Sequence, residues 1–345
     1  MLFSDKIGWY IKKKMWTNLL KKIVKKYYHY RLISKISNQN KIPHNKLNIQ
    51  IQTVSACNGK CTFCPYQDSW HQKNPGIMSW DNYKKIIDEL KGFKIAKFCP
   101  YLENEPLLDK EIFKKIKYAL VNLNIELLEL STNLSVLSDQ HLNEIINIFP
   151  SIKHEIRISF HGFNKSSYEN IMGLNFENAV DNILKLVNLS QKSHLKLGIR
   201  GAGTPRSANG NLRSWFGEKE YLDFWKKQLV PFKKKPSVKF LRYHDRAGSI
   251  QLKNKGMSFN SIARESLDNF YCSRFDKWMH FLYTGEPILC CMDYNRETIF
   301  DDSITNKRID ELYASQRYID LIKKGTGMMP SEDDFICKKC FSPGG

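Results

Sequence analysis

The run "LNIQIQTVSACNGKCTFC" at residues 47–64 leads from an alternating apolar–polar segment straight into three cysteines, Cys57, Cys61 and Cys64. Leu47, Ile49 and Ile51 alternate with Asn48, Gln50 and Gln52, the period of a half-buried β-strand. The thiols that follow could staple a loop, hold zinc or seat a redox cofactor. A disulfide would leave one thiol over and is disfavoured where thiols stay reduced. Structural zinc takes four ligands, usually as two separated pairs, and three closely spaced thiols match that poorly. Three thiolates on one tight loop suit three corners of a cubane [4Fe–4S] cluster with the fourth iron open, and Asn58 and Gly59 allow the loop to turn tightly.

Outward from this stretch the chain alternates strand-like and helical patterns. After residues 47–54, strand-like runs occupy 95–102, 125–132, 154–161, 194–201 and 238–244. Helical patterns lie between them, at 79–93, 109–123, 138–149, 175–190 and 217–230, with Ser138 and Asp139 suited to cap the third. Six strands joined by five helices imply parallel pairing with right-handed crossovers. The fold class is therefore α/β, a partial (βα)6 TIM-like barrel, whose functional groups gather at the C-terminal strand ends. Beyond residue 250 five of the nine cysteines share a stretch with only short helical pieces, a small domain that needs a metal centre to offset a thin core. The expected division is a basic extension over 1–46, the (βα)6 core over 47–250 and a cysteine-rich domain over 251–345.

No run of about 18 apolar residues suggests a spanning helix, and "MLFSDKIGWYIKKKMW" lacks the apolar core of a secretory signal. A cytoplasmic protein is expected. Its formal charge of +19 points to an anionic partner, or simply to lysines that keep it soluble. In the extension, Trp16, Leu20, Ile23, Val24 and Tyr27 recur at helical spacing, with Lys21, Lys22, Lys25 and Lys26 on the other face. Such a helix suits peripheral contact with an anionic membrane, an acidic peptide, or packing on the protein's own body, with own-body packing or partner docking preferred.

The C57-x3-C61-x2-C64 spacing just after the first strand resembles the radical S-adenosylmethionine (radical SAM) superfamily, with Phe63 before the third cysteine as that family prefers. The resemblance implies that SAM chelates the open iron and is cleaved to a 5′-deoxyadenosyl radical that abstracts hydrogen from substrate. "LENEPLLD" (102–109) resembles the family's Gly-Gly-Glu-Pro motif, with Glu105 and Pro106 matching and Glu103 and Asn104 replacing the glycines. By the same resemblance Ser131 and Asn133 at the third strand end, Ser159 at the fourth and Arg200 at the fifth are SAM contacts, Arg200 through the carboxylate. His161 reads as a candidate substrate-site group or, in preference, an ordinary hydrogen-bonded histidine, and Cys99 as a core thiol.

Cys272, Gly285 and Cys290, with "GEPILCCMD" (285–293), resemble the opening of a SPASM or shorter Twitch auxiliary-cluster domain, and "CKKC" (337–340) adds two thiols. The resemblance implies that Cys272, Cys290, Cys337 and Cys340 hold a second [4Fe–4S] cluster, with Cys291 open as a substitute for Cys290 and four-cysteine zinc as the alternative. A fully ligated cluster of this kind takes an electron from the substrate radical or positions substrate. Such chemistry needs a base; Asp293, and Asp245 or Arg246 in "YHDRAG" (243–248), are the candidates for base or substrate clamp.

The resemblance thus implies a radical SAM enzyme that oxidises or cross-links a ribosomal peptide or protein side chain, drawing electrons from a donor such as flavodoxin or ferredoxin. A dehydrogenase, oxidase or epimerase of a sugar or aminocyclitol is the alternative. A basic zinc protein that binds nucleic acid would explain the charge, but no base-reading fold or aromatic RNA-binding motif accompanies it.

Overall fold

In the computed structural model the described residues are 46–203, 217–242, 246–250, 264–268, 270 and 272–340, with positions 20, 23, 24, 27, 30, 31, 33 and 34 of the extension. Strands β1 (Lys46–Ile51), β2 (Lys94–Cys99), β3 (Asn124–Ile125), β4 (Leu128–Thr132), β5 (His154–Ser159), β6 (Leu197–Gly203) and β7 (Ser237–Arg242) pair in parallel in the order β7-β6-β5-β4-β2-β1, with the short β3 also beside β2. The six expected strand positions recur, the third divided between β3 and β4.

The helices form where capping and periodicity agree. Ser79 caps Trp80–Glu89 by accepting from Asn82 N–H at 3.1 Å, and Tyr83, Ile86 and Ile87 form its buried stripe. Ser138 caps Asp139–Ile148 as expected, in a capping box with His141. Asn175 caps Phe176–Ser190, which buries Ala179, Val180, Ile183, Leu186 and Val187. Helix Lys165–Met172 was not legible, because eight residues with Tyr168, Ile171 and Met172 buried are too few for a clear period. It ends at Gly173 with φ +65, where an added Cβ would lie 2.8 Å from the Lys60 side chain.

Apolar residues of β5, Ile156 and Ile158, join the main core, whereas Glu155, Arg157 and Ser159 alternate with them. Glu129 accepts from Lys97 Nζ at 2.9 Å and Arg157 Nη1 at 3.1 Å, and it also bonds the Tyr101 hydroxyl. These contacts join β2, β4 and β5 through paired charges, which is how buried ionic groups escape most of their desolvation cost.

Strand β8 (Trp278–Phe281) pairs in parallel with the free side of β1, matching Asn48–Ile51 with Trp278–Phe281, and β9 (Pro287–Ile288) adds antiparallel to β8. The cysteine-rich C-terminal segment therefore continues the same sheet. Of the extension's apolar face, Leu20, Ile23, Val24 and Tyr27 are exposed while Ile33 is buried, so own-body packing is not found at those four; Trp16 and the four lysines lie outside the described residues. Among the described residues no helix is long and apolar enough to cross a membrane.

Residues 103–109 are pinned by a buried ion pair, Lys115 Nζ to Asp109 Oδ2 at 2.8 Å, while Asp109 Oδ1 accepts from Glu111 N–H. Lys115→Met alone strands the Asp109 charge and should cost about 3–5 kcal/mol in urea unfolding, whereas Lys115→Met with Asp109→Asn should recover most of that loss.

Candidate functional site

Sheet strands converge on one cavity of about 410 Å³, within the range of small-molecule sites. Its lining comes from β1 (Gln50), β4 (Ser131, Thr132), β5 (Arg157, Ser159), β6 (Ala202) and β7 (Leu241), together with Cys57, Cys61 and Cys64. A sheet whose strands from β1 to β7 share one cavity is rolled as a partial barrel.

The cysteine loop is fixed mainly through its backbone. Lys60 N–H donates to Met172 O at 2.7 Å and Thr62 N–H to Ile171 O at 2.9 Å, so the end of helix Lys165–Met172 carries the loop. Tyr66 Oη accepts from Cys57 N–H at 3.0 Å, and Gln67 Nε2 donates to Gly59 O at 3.0 Å. Asn58 donates to Ser135 Oγ and accepts from Asn133 Nδ2. Gly59 sits among the sulfurs: a Cβ there would lie 3.5 Å from Cys61 Sγ and 3.8 Å from Cys57 Sγ, in ordinary contact with both.

Burial, reinforced by Glu105, pushes the Cys57 thiol up to about 12. Burial and the adjoining thiols carry Cys61 well above its ordinary range. These sulfurs ionise only with a compensating cation beside them, which a coordinated metal supplies. A second cavity, almost wholly apolar, is lined by Cys272, Cys290, Cys337 and Cys340. Cys291 faces the first cavity instead, with Arg274 Nε 3.1 Å from its sulfur. The four expected auxiliary ligands are thus grouped together, Cys290 among them and Cys291 apart. Among the described residues no three His, Cys, Asp or Glu side chains gather as a chelating set for one ion. The three-thiol set borders the cavity of about 410 Å³ and has the donor chemistry of a [4Fe–4S] site, whereas the four-thiol set borders a space of about 20 Å³.

The other candidate residues divide. Phe63 lines the first cavity and meets the His161 ring edge-on at 4.6 Å; Ser131, Asn133 and Ser159 line it as well. His161 Nδ1 accepts from Ala202 N–H at 2.9 Å, and burial together with the Arg246 charge lowers its pKa to about 3, so it is neutral. Glu105 is buried yet lines the cavity; its Oε1 accepts from Thr132 Oγ1 at 2.6 Å and Leu107 N–H at 3.1 Å, and its Oε2 from Asn133 N–H at 2.7 Å. Pro106 starts the short helix Pro106–Leu108 and is buried outside the cavity lining.

Two of the expected residues lie outside the cavity lining. Arg200 folds back over Gly198, bonds Glu155 and donates to Ser237 O at 2.9 Å, outside the cavity lining. Asp293 is also away from that lining, its oxygens accepting from Glu297 N–H and from Thr298 N–H and Oγ1. Asp245 lies outside the described residues.

Glu103 is the site carboxylate that the strand-end reading missed. It lines the cavity at 4% exposure, its Oε2 2.9 Å from Nε2 of the fully buried His71 but without hydrogen-bond alignment. Oε1 also has no hydrogen-bond partner among the described residues. Burial raises the Glu103 pKa to about 7, with Asp293 adding to the rise and His71 and Arg246 opposing it. A large polar side chain in place of a family glycine was the available signal; His71 had none, since it meets Glu103 only through the fold. Arg246 reaches the cavity from a left-handed residue, φ +51, with Nη1 3.4 Å from Met292 Sδ.

On anaerobic reconstitution, Cys57→Ala, Cys61→Ala or Cys64→Ala should each cost about four of some eight irons, as should Cys272→Ala, Cys337→Ala or Cys340→Ala. Cys291→Ala should retain full iron content while Cys290→Ala loses half, measured by iron analysis and EPR.

Residues 51–202 match the family model of the Radical SAM superfamily. No curated protein matches the chain. Among solved structures, Streptococcus suis SuiB bound to its precursor peptide SuiA is similar with a TM-score of 0.60 at 12% identity, over 84% of this chain and 69% of that one. BtrN in complex with AdoMet and 2-DOIA gives 0.52 at 15% identity, over 86% and 92%. anSMEcpe with bound AdoMet and Cp18Cys peptide gives 0.53 at 17%, over 86% of each chain. At these identities the likeness is one of fold. The stretch from 51 to 202 that matches the radical SAM family model holds the clustered cysteines and most of the strand ends facing them.

Proposed function

We propose that this protein is a radical SAM enzyme with an auxiliary cluster, which oxidises or cross-links a ribosomal peptide or protein side chain. The observation that carries the reading is the pairing of a three-thiol loop at a large cavity with a separate four-thiol cavity in the adjoining C-terminal segment. Cys57, Cys61 and Cys64 would hold the first cluster, and Cys272, Cys290, Cys337 and Cys340 the second. When bound, the first cluster and SAM supply a hydrogen-abstracting radical, and the second supplies an electron acceptor.

The chain's own residues prepare the cavity for that chemistry. Phe63 and His161 form an apolar, uncharged wall, while Arg157 and Arg246 offer guanidinium groups to anionic parts of SAM or substrate. A carbon that gives up a hydrogen atom and then an electron also sheds a proton from its adjoining O–H or N–H as C=O or C=N forms. Glu103 accepts that proton through its unpaired Oε1, with His71 beside it to share the charge. The +19 charge favours an acidic electron donor such as flavodoxin or ferredoxin.

Peptide-bound SuiB and anSMEcpe among the structural neighbours support the peptide reading. A sugar or aminocyclitol substrate is the second reading, favoured by the match over 92% of BtrN, whose structure contains 2-DOIA. Anaerobic incubation with SAM, reductant and candidate substrates of both classes, followed by mass spectrometry, separates them. 5′-Deoxyadenosine should appear, and a two-hydrogen loss or a new cross-link should mark one class. Colourless protein with stoichiometric zinc and no SAM cleavage would sink the proposal.

Glu103→Gln should keep SAM cleavage but lower product yield by about 10²-fold or more, the typical scale of a lost general base. Because burial lifts the Glu103 pKa to about 7, its basic form grows as pH rises through that value. Product formation should therefore climb across this range in the wild type and lose that limb in the variant.

A further inference from the structure

We infer that Tyr294, on the loop leaving Cys290, donates a hydrogen bond to the Cys64 thiolate and raises the reduction potential of the cluster held by Cys57, Cys61 and Cys64. The inference rests on the cluster-binding reading above. Tyr294 is buried, lines the first cavity, and its hydroxyl lies 3.8 Å from Cys64 Sγ. A protonated thiol could donate across that contact, but a metal-bound thiolate is an acceptor only, so the phenol must be the donor.

The loop is built to hold this geometry. Asp293 N–H donates to Cys290 O at 3.1 Å, and Tyr294 O accepts from Trp70 N–H at 3.4 Å. The Asp293 carboxylate ties the following turn through Glu297 and Thr298. This gives Asp293 a role different from the expected base. At the near end of the loop, Met292 N–H lies 3.4 Å from Cys290 Sγ. Five residues, 290–294, thus carry one donor to a thiolate of each set.

A hydrogen bond to a ligating sulfur disperses negative charge and favours the reduced cluster, the more negative state. Burial strengthens the effect, because the local dielectric is low. Tyr294 is therefore a positioning residue through which the C-terminal segment sets how readily the SAM-side cluster accepts an electron.

The test is an EPR-monitored redox titration of anaerobically reconstituted holoenzyme, comparing wild type with Tyr294→Phe. This variant keeps the buried ring and removes only the donor. The SAM-side potential should move to a more negative value, with the second cluster, iron content and SAM binding unchanged. Tyr83→Phe, whose buried hydroxyl donates to Lys115 O at 2.7 Å outside both cavity linings, should leave the potential in place. An unchanged or more positive potential in Tyr294→Phe, or an equal shift in Tyr83→Phe, overturns the inference. A wild type with about four irons, all lost on Cys57→Ala, would instead remove the auxiliary-cluster reading, and the Tyr294 shift would still be measured on the remaining cluster.

Discussion

Strand β1 has partners on both sides, β2 on one and β8 on the other, and the site depends on that double pairing. Asn48 N–H donates to Lys277 O at 2.8 Å and Gln52 N–H to Phe281 O at 2.9 Å, extending the β8 ladder beyond its matched residues. An unpaired strand edge is an invitation to foreign strands. Here a segment more than two hundred residues away covers it. The pairing also brings the Cys290–Tyr294 loop against the loop that follows β1, so the two thiol sets occupy adjoining space. Because ladder hydrogen bonds fix register, a slip of β8 along β1 would misplace Tyr294 and Cys290 together.

Within that frame, polar groups are either bonded to neighbours or left with unpaired acceptors. Asp293 and Arg200 are bonded to neighbours outside the cavity lining, whereas Glu105 lines the cavity while accepting from Thr132, Asn133 and Leu107. Glu103 differs, being buried beside a histidine with neither oxygen in a hydrogen bond among the described residues. A buried acceptor without a partner is costly, and such groups in a cavity point to ligand chemistry. The thiols follow the same logic, since their burial is compatible with ionisation only when a cation is at hand.

The parallel α/β scaffold was legible because its strands and longer helices carry strong periods and caps. The strand ends were legible as site positions for the same reason, and Phe63, Ser131, Asn133 and Ser159 do line the cavity. Arg200 shows where that reasoning stops: its backbone is placed correctly, but a long side chain can turn back, and the Glu155 carboxylate draws it away from the site. Helix Lys165–Met172 was too short to give a period, although its last carbonyls support the cysteine loop.

By itself the sequence marked out the two thiol sets, because residue type and local spacing are properties of the chain. It likewise determined the α/β alternation, since hydrophobic period follows residue order. Only the tertiary structure decided which thiols share a cavity, separating Cys290 from its neighbour Cys291. It also decided which acidic groups are spent and which remain available. Those outcomes depend on contacts such as His71 with Glu103 and Tyr294 with Cys64, made across long sequence separations by packing and strand register. No local pattern encodes them.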